Sequence, residues 1–346
     1  MKAKSFITTT IALVLVGLIV FSVITIAIDP LFQYHTPWFG LEPVITNERY
    51  QNAGIAKNFD FENVIIGNSM SENFKVNDAN EAFGGSTVKL VAAGSHTIDW
   101  TYTLDILQQR DESVKSIMFN LDPYIFIASS DEMRHELPTY LYNHNILDDV
   151  SYLFNFEILN DYTIKMLKEN HRNNIPEYNE VFCWENPTGK DFVLSNYDRP
   201  EDKSVEFDDD IIEITNANLD NIIPYIESMK DTNFVFFFSP FSIIYWDSEN
   251  QMHRLSQWRD CYLDVSKRLL QYDNVSLYFW SDEQMLDIIC NLDYYSDEAH
   301  YSAEISENLL NRIGKKQGII TNKNYEQEIN RFFDFLESYD YESIFT

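Results

Sequence analysis

The spacing of apolar and charged positions separates an N-terminal segment from the rest of the chain. From Phe6 to Ile28 no side chain carries a charge. A helix of this length is roughly 35 Å long, enough to cross a hydrocarbon core of about 30 Å with some tilt. Lys2 and Lys4 precede the run and Asp29 follows it, so the positive-inside rule predicts a cytoplasmic N-terminus and an extracytoplasmic remainder. The alternative is a cleaved secretory signal, but the run is long for one and no small-residue cleavage pattern follows it.

Beyond the anchor, apolar β-rich runs alternate with helical patterns, which predicts a doubly wound parallel sheet. The predicted strands are 63–66, 88–92, 116–121, 233–238 and 275–279. The predicted helices are 97–109, 210–229, 251–270, 282–289 and 302–313.

The same patterns suggest how the chain is organised. Residues 1–29 form the cytoplasmic stub and anchor, and 30–60 form a connector with a short helix near 47–57. The main domain covers 61–320, and 321–346 contain a terminal helix. A segment rich in Asn, Asp and Tyr, residues 124–207, interrupts the alternation and is interpreted as an inserted cap. The acidic run 208–210 is interpreted as the solvated start of a helix, where negative charge is favourable.

Charge and cysteine content narrow the function. The net charge of -30 repels phosphate backbones and argues against nucleic-acid binding. Three cysteines are too few for a disulfide framework. The sequence contains no CxxC, HExxH or Cys/His cluster, so we expect neither a metal nor another cofactor.

Two short motifs carry candidate chemistry. The first strand runs into Gly67-Asn68-Ser69-Met70-Ser71, where Ser69 stands at a strand-to-helix turn whose backbone N–H groups can stabilise an oxyanion. Near the other terminus, Asp297 and His300 are separated by two residues. In a turn at this spacing the carboxylate orients one imidazole nitrogen while the other faces a cleft.

Together these motifs resemble the SGNH/GDSL hydrolase superfamily over about residues 60–315. The resemblance implies a flavodoxin-like three-layer sandwich with a five-stranded parallel sheet. It implies Ser69 as nucleophile, His300 as general base and Asp297 as its orienting partner. The anchor is similar in layout to the branch that works beside membrane-bound O-acyltransferases in acylation of cell-surface polymers, including the D-alanyl-transfer protein of teichoic acid synthesis.

The oxyanion donors match this family only in part. The family's glycine after the second strand corresponds to Gly94, and the Ser69 backbone supplies another donor. In the third block Asp122 stands where the family has an asparagine donor, and an ionised carboxylate donates no hydrogen bond. Asn120 is the substitute donor in a shifted position, unless the Ser69 and Gly94 amides suffice. A full Gly-Asp-Ser-Leu block is also missing.

Several other residues have weaker claims. Asp122, Tyr245 and Trp246 are pocket candidates because they follow the third and fourth strands, although core packing explains the two aromatics equally well. His96 is an alternative base but is better interpreted as a loop or cap residue, and His253 as a surface residue on a helix. A metal site built from Asp293, Asp297 and His300 has no further ligand cluster to support it.

The leading hypothesis is therefore an extracytoplasmic serine esterase or O-acyltransferase acting on a surface glycan or teichoic-type polymer. Its expected partners are the bilayer and a membrane-bound O-acyltransferase. The first alternative is a catalytically inactive SGNH-like component that binds partners in a membrane acylation complex, which the Asp122 substitution motivates. The second is a structural surface protein.

Overall fold

A six-stranded, mostly parallel sheet organises the part of the chain that the computed structural model describes, residues 2–207 and 210–345. The strands are β1 (Asn63–Gly67), β2 (Thr87–Val91), β3 (Ser116–Leu121), β4 (Asn233–Phe238), β5 (Val275–Tyr278) and β6 (Ile319–Ile320). Their spatial order is β2-β1-β3-β4-β5-β6. The neighbouring pairs from β2 through to β5 are parallel, and β6 pairs antiparallel with β5.

The mixed α/β class predicted from the sequence is confirmed, but the predicted five-stranded sheet omits β6. That strand has two residues and no alternation for a pattern to detect. β4 is the most apolar strand, and its residues from Phe234 to Phe238 are all buried. Such a strand is expected inside a sheet covered on both faces.

The helices surround this sheet and connect its strands. They are α1 (Lys2–Ile28), α2 (Glu48–Asn58), α3 (Val76–Phe83), α4 (Thr97–Gln108), α5 (Pro123–Ile127), α6 (Val150–Leu153), α7 (Ile164–Arg172), α8 (Lys190–Asn196), α9 (Ile211–Asp220), α10 (Ile223–Ser228), α11 (Ile243–Gln251), α12 (Leu255–Leu269), α13 (Glu283–Cys290), α14 (Ala303–Gly314) and α15 (Tyr325–Ser338). A π-helical stretch, Ile158–Thr163, precedes α7.

Two of the helical predictions need correction. The predicted helix 210–229 is divided into α9 and α10, because Pro224 occupies the first turn of α10 and cannot continue a preceding helix. The predicted helix 251–270 begins only at Leu255, and α11 ends separately before it. His253 lies between the two helices with a left-handed φ of 60°, exposed at the surface.

The acidic run at 208–210 is described only in part. Asp210 is the N-cap of α9, and its side chain accepts hydrogen bonds from the Ile212 and Glu213 amides. This is the interaction that a carboxylate makes at a helix N-terminus. Asp208 and Asp209 lie outside the described residues.

Helix α1 is long and apolar enough to cross a membrane. Its residues from Ala3 to Val20 are exposed, as expected of a helix that does not pack in the core. Its last turns contact the main domain through α6 and the π-helical stretch. The connector beyond it contains α2, which packs against β2 and α4.

Candidate active site

The carboxyl end of β1 is where strand order reverses, since the chain goes outward to β2 and then back past β1 to β3. Ligands of open α/β sheets bind at such a point. Here Asn68 caps a short 3₁₀ helix, Ser69–Ser71, and its Oδ1 accepts a hydrogen bond of 3.0 Å from the Met70 amide. Asn68 and Met70 are buried, whereas Ser69 is partly exposed. The turn therefore presents the Ser69 hydroxyl at the rim of the sheet.

Gly67 is required at the end of β1 by close packing. A Cβ at this position would collide with Asn120 Oδ1 and Ser71 Oγ. Those two atoms are themselves joined, because the Ser71 hydroxyl donates a hydrogen bond of 2.9 Å to Asn120. A larger residue would push the serine turn away from β3.

The second motif folds around the Asp297 carboxylate. Its Oδ1 accepts hydrogen bonds from the amides of Ala299 (2.8 Å) and His300 (2.7 Å). Its Oδ2 lies 2.8 Å from His300 Nδ1. Burial pushes the pKa of Asp297 up, but the His300 contact and the two backbone donors outweigh it and lower the pKa below its usual value. The two-residue spacing thus lets one carboxylate hold both the turn and the imidazole.

The fold brings the two motifs into contact, although they are 231 residues apart in the chain. Ser69 Oγ lies 2.8 Å from His300 Nε2. Since Nδ1 faces a carboxylate, we assign its proton there, which leaves Nε2 free to accept the serine proton. The Tyr301 hydroxyl fixes this approach by donating a hydrogen bond of 2.9 Å to the Met70 carbonyl.

Two backbone amides, those of Ser69 and Gly94, are candidate oxyanion donors. Among the described residues, none accepts a hydrogen bond from the Ser69 or Gly94 amide. Gly94 has a φ of +65°, a conformation that favours glycine. The loop before it is held by Glu48, whose carboxylate accepts a hydrogen bond of 2.7 Å from the Ala93 amide. On the other side of the loop, the Ser95 hydroxyl donates a hydrogen bond of 3.0 Å to the Gly67 carbonyl.

Asn120 and Asp122 belong to the interior instead. Asn120 is fully buried, and its amide group donates to Asn68 Oδ1 and Asp122 Oδ2. It therefore has no donor left for an oxyanion, which corrects the expectation from the sequence. Asp122 is also fully buried and caps α5 through the Ile125 amide, while Asn68 donates to it at 2.9 Å. Burial raises the pKa of Asp122, opposed by these hydrogen bonds.

A cavity of about 390 Å³ opens beside the imidazole. Its lining residues are Tyr124, Val193, Asn196, Tyr197, Asp198, Ile244, Asp297, Glu298, Ala299 and His300. The pocket candidates Asp122, Tyr245 and Trp246 are not among them. Tyr245 and Trp246 are buried, and the Trp246 ring packs against Phe332 and Phe333. The 124–207 segment supplies five of the ten lining residues, and Ile244 and residues 297–300 supply the rest.

The same segment adds a neighbour to the histidine that the sequence did not reveal. Trp184 packs edge-on against the His300 ring, with ring centroids 5.6 Å apart. Its indole also donates a hydrogen bond to Glu72, which follows the serine turn. Burial, followed by the nearby Glu48 carboxylate, raises the pKa of Glu72 to about 8. A lone tryptophan in an irregular segment gives no pattern from which this contact follows.

Another histidine near Gly94, His96, has a structural position. His96 is the N-cap of α4, and its amide donates a hydrogen bond of 2.8 Å to Asp99. Its Nδ1 lies 3.2 Å from the Glu132 carbonyl. These contacts agree with a cap residue and not with a base that faces the Ser69 hydroxyl.

No protein-family model matches the chain, and the search of curated proteins finds no significant match either. The site geometry therefore carries the functional interpretation by itself.

Proposed function

We propose that this protein is a serine esterase or O-acyltransferase that works through an acyl-serine intermediate. The observation that carries the proposal is the continuous chain of contacts from Ser69 Oγ to His300 Nε2 and from His300 Nδ1 to Asp297, each 2.8 Å long. A serine hydroxyl, an imidazole and a carboxylate in this order are the parts of a nucleophilic triad.

The strand order supports a relationship to the SGNH/GDSL superfamily. The order β2-β1-β3-β4-β5 is that of flavodoxin-like sheets, with the antiparallel β6 added at one edge. The early serine turn and the late Asp-x-x-His turn also fall at the rim where that superfamily has its catalytic groups. We accordingly interpret the main domain as an SGNH-like three-layer domain.

The proposed reaction has two halves. Ser69 Oγ attacks the ester carbonyl carbon as its proton passes to His300 Nε2, and the amides of Ser69 and Gly94 stabilise the negative oxygen of the tetrahedral intermediate. The C–O bond to the leaving alcohol then breaks, and the alcohol takes the proton from His300. In the second half water or a sugar hydroxyl attacks the acyl-serine carbonyl carbon as His300 Nε2 takes its proton. The bond from the acyl carbon to Ser69 Oγ then breaks, Ser69 Oγ takes the proton back from His300, and an acid or a new ester is released.

The cavity beside His300 suits a hydroxyl-rich acceptor. Two tyrosines, Tyr124 and Tyr197, line it together with three carboxylate residues, Asp198, Asp297 and Glu298. Aromatic faces and carboxylate acceptors are suited to binding sugar rings and their hydroxyls. We therefore propose a cell-surface glycan as the acceptor, with the domain outside the cell and a membrane-bound O-acyltransferase as its partner.

Hydrolysis of p-nitrophenyl acetate by the full-length protein in detergent tests the nucleophile. Ser69→Ala should lower kcat by about 10³-fold or more, because no other hydroxyl takes the place of the nucleophile. Ser71→Ala is the matched control, since Ser71 lies in the same turn but is fully buried against Asn120. A Ser69→Ala variant that keeps the wild-type rate would refute the proposal.

A catalytically inactive, partner-binding protein is the first of the two alternatives, motivated by Asp122. The position of Asp122 weakens that motive, because this side chain caps α5 below the site and does not face the Ser69 hydroxyl. A wild-type protein without measurable esterase or transferase activity would restore this alternative.

A further inference from the structure

The joint between α1 and the main domain is held by hydrogen bonds around Asp29. Asp29, directly after α1, is fully buried and accepts hydrogen bonds from the amides of Gln33 (2.9 Å), Tyr34 (2.7 Å) and His35 (2.9 Å). It also accepts a hydrogen bond of 2.6 Å from the hydroxyl of Tyr152 on α6. These contacts fix α6 beside the end of α1, so α1 is not a flexible tether.

The length of α1 determines how deep its C-terminal end would lie in a bilayer. Its continuously exposed part ends at Val20; Phe21 and Ser22 are partly buried, Val23 and Ile24 are exposed again, and Thr25 is buried. From Phe6 to Val20 the helix rises about 22 Å, which is short of a hydrocarbon core of about 30 Å. If α1 spans a membrane, its last turns around Thr25 must also lie in lipid or at the headgroups. Thr25 is fully buried, because α6 and the π-helical stretch cover this part of α1. Those elements therefore lie at the same depth.

The segment 146–167, which contains these elements, carries exposed apolar side chains. Ile146 and Leu147 are each 81% exposed and Phe156 is 73% exposed. Val150 and Ile164 are exposed as well. Large apolar side chains left open to solvent in this number are unusual for a soluble surface.

Two of the carboxylates in this segment, Asp148 and Asp149, are turned back toward the protein, whereas Glu157 and Asp161 are exposed. Asp149 accepts a hydrogen bond of 2.9 Å from the Tyr34 hydroxyl. Asp148 accepts one of 3.0 Å from Asn143. Ile146 and Leu147 are thus exposed beside two carboxylates that both accept hydrogen bonds from the protein.

The connector after α1 adds aromatic residues at the same junction. His35 Nε2 lies 2.7 Å from the Ile26 carbonyl at the end of α1, and the Trp38 ring stacks on His35 at 3.6 Å. Trp38 and Phe39 are 49% and 77% exposed. Tryptophan is enriched at the boundary between lipid and water, where its ring meets the headgroups.

We propose that the segment 146–167, together with Trp38 and Phe39, is a second membrane contact that lies in the bilayer interface beside α1. The occupant of this surface is lipid, because the surface continues the exposed face of α1 at the same depth. The contact holds the main domain at a fixed height and tilt above the membrane. This inference depends on α1 spanning the bilayer but not on the proposed catalytic activity.

Depth-dependent fluorescence quenching of the full-length protein in phosphatidylcholine–phosphatidylglycerol vesicles tests the contact. An environment-sensitive NBD label is placed at Leu147→Cys or Phe156→Cys, in a Cys183→Ser, Cys290→Ser background. We expect lipids with a nitroxide on the acyl chain to quench most of the fluorescence at both positions, and aqueous iodide to quench little of it.

Two controls make the outcomes distinct. Lys323→Cys lies just after β6, at the opposite edge of the sheet from β2, and should respond to iodide alone. Val14→Cys reports whether α1 is inserted.

If Val14 is quenched by lipid but Leu147 and Phe156 behave like Lys323, the second contact is refuted while the anchor stands. Shielding of Leu147 and Phe156 from both quenchers would assign the surface to another copy of the chain and also refute the proposal. If Val14 is not quenched, the membrane-spanning helix and the contact both fail.

Discussion

At the scale of single residues, one carboxylate at the site makes several of the contacts that hold it together. The Asp297 carboxylate holds two backbone amides with one oxygen and the His300 ring with the other. The spacing of these two residues already indicated this pairing in the sequence. The contact between Trp184 and His300 was not foreseeable, because it joins an irregular segment to a distant turn.

Replacing Asp297 tests its orienting role. Asp297→Asn should lower kcat for ester hydrolysis by about 10³–10⁴-fold with KM little changed, because the amide no longer stabilises the protonated imidazole or fixes its tautomer. Steady-state kinetics measure both parameters. Asp293→Asn is the control, since Asp293 contacts the Lys190 amide and not the imidazole. Equal losses in the two variants would contradict the assignment.

Glu72 should make stability depend on pH. Its pKa is raised to about 8, first by burial and then by the Glu48 carboxylate. A group whose pKa is raised in the folded protein makes its full contribution to the free energy of unfolding below the pKa that it has in the unfolded chain. Glu72 loses this contribution as the pH rises through about 8. The thermal midpoint of wild type should therefore fall more between pH 5 and pH 8.5 than that of Glu72→Gln. Glu304→Gln, on the exposed first turn of α14, is the control and should behave like wild type. Identical pH profiles for wild type and Glu72→Gln would contradict the expected role.

At the scale of elements, local sequence patterns predicted most helices and strands, whereas features that depend on contacts between distant parts of the chain were missed. The strands β1 to β5 and most helices follow apolar periodicity and cap residues, which act locally. The division between α9 and α10 depended on Pro224, and the short β6 had too few residues to show a pattern. The prediction that Asn120 donates to an oxyanion was wrong, because its side-chain amide donates to Asn68 and Asp122 instead. This arrangement depends on how the three side chains pack in the interior, which the sequence does not show.

Asp122 should matter for the stability of the site elements and not for chemistry. Asp122→Ala removes the cap of α5 and leaves buried amide hydrogens of Asn68 and Asn120 without an acceptor. We expect the free energy of unfolding to fall by about 2–4 kcal/mol, measured by thermal unfolding. Asp122→Asn retains an acceptor oxygen and should lose less. A loss below about 0.5 kcal/mol in the alanine variant, typical of a surface position, would contradict this role.

At the scale of the whole molecule, the sequence predicted the class of fold and the meeting of Ser69 with His300, but not how the 124–207 segment is used. Its short helices carry little periodicity, so their positions follow from long-range packing. The structure shows that this segment contacts both the end of α1 and the cavity beside His300.

The net charge of -30 should make stability sensitive to salt. The Debye screening length falls from about 30 Å at 0.01 M salt to about 8 Å at 0.15 M salt. Added salt therefore weakens the repulsion among the acidic side chains. The thermal midpoint should rise by about 2–4 °C for each kcal/mol gained. Sodium and potassium chloride should act alike if screening is the cause. An unchanged or lower midpoint would contradict it.

Chemical mapping of the nucleophile tests the central claim most directly. The full-length protein is treated with a fluorophosphonate probe, digested, and the modified peptide identified by mass spectrometry. We predict a single adduct on Ser69, formed much more slowly in His300→Ala. An adduct on another serine, or equal labelling of Ser69 in His300→Ala, would contradict the account.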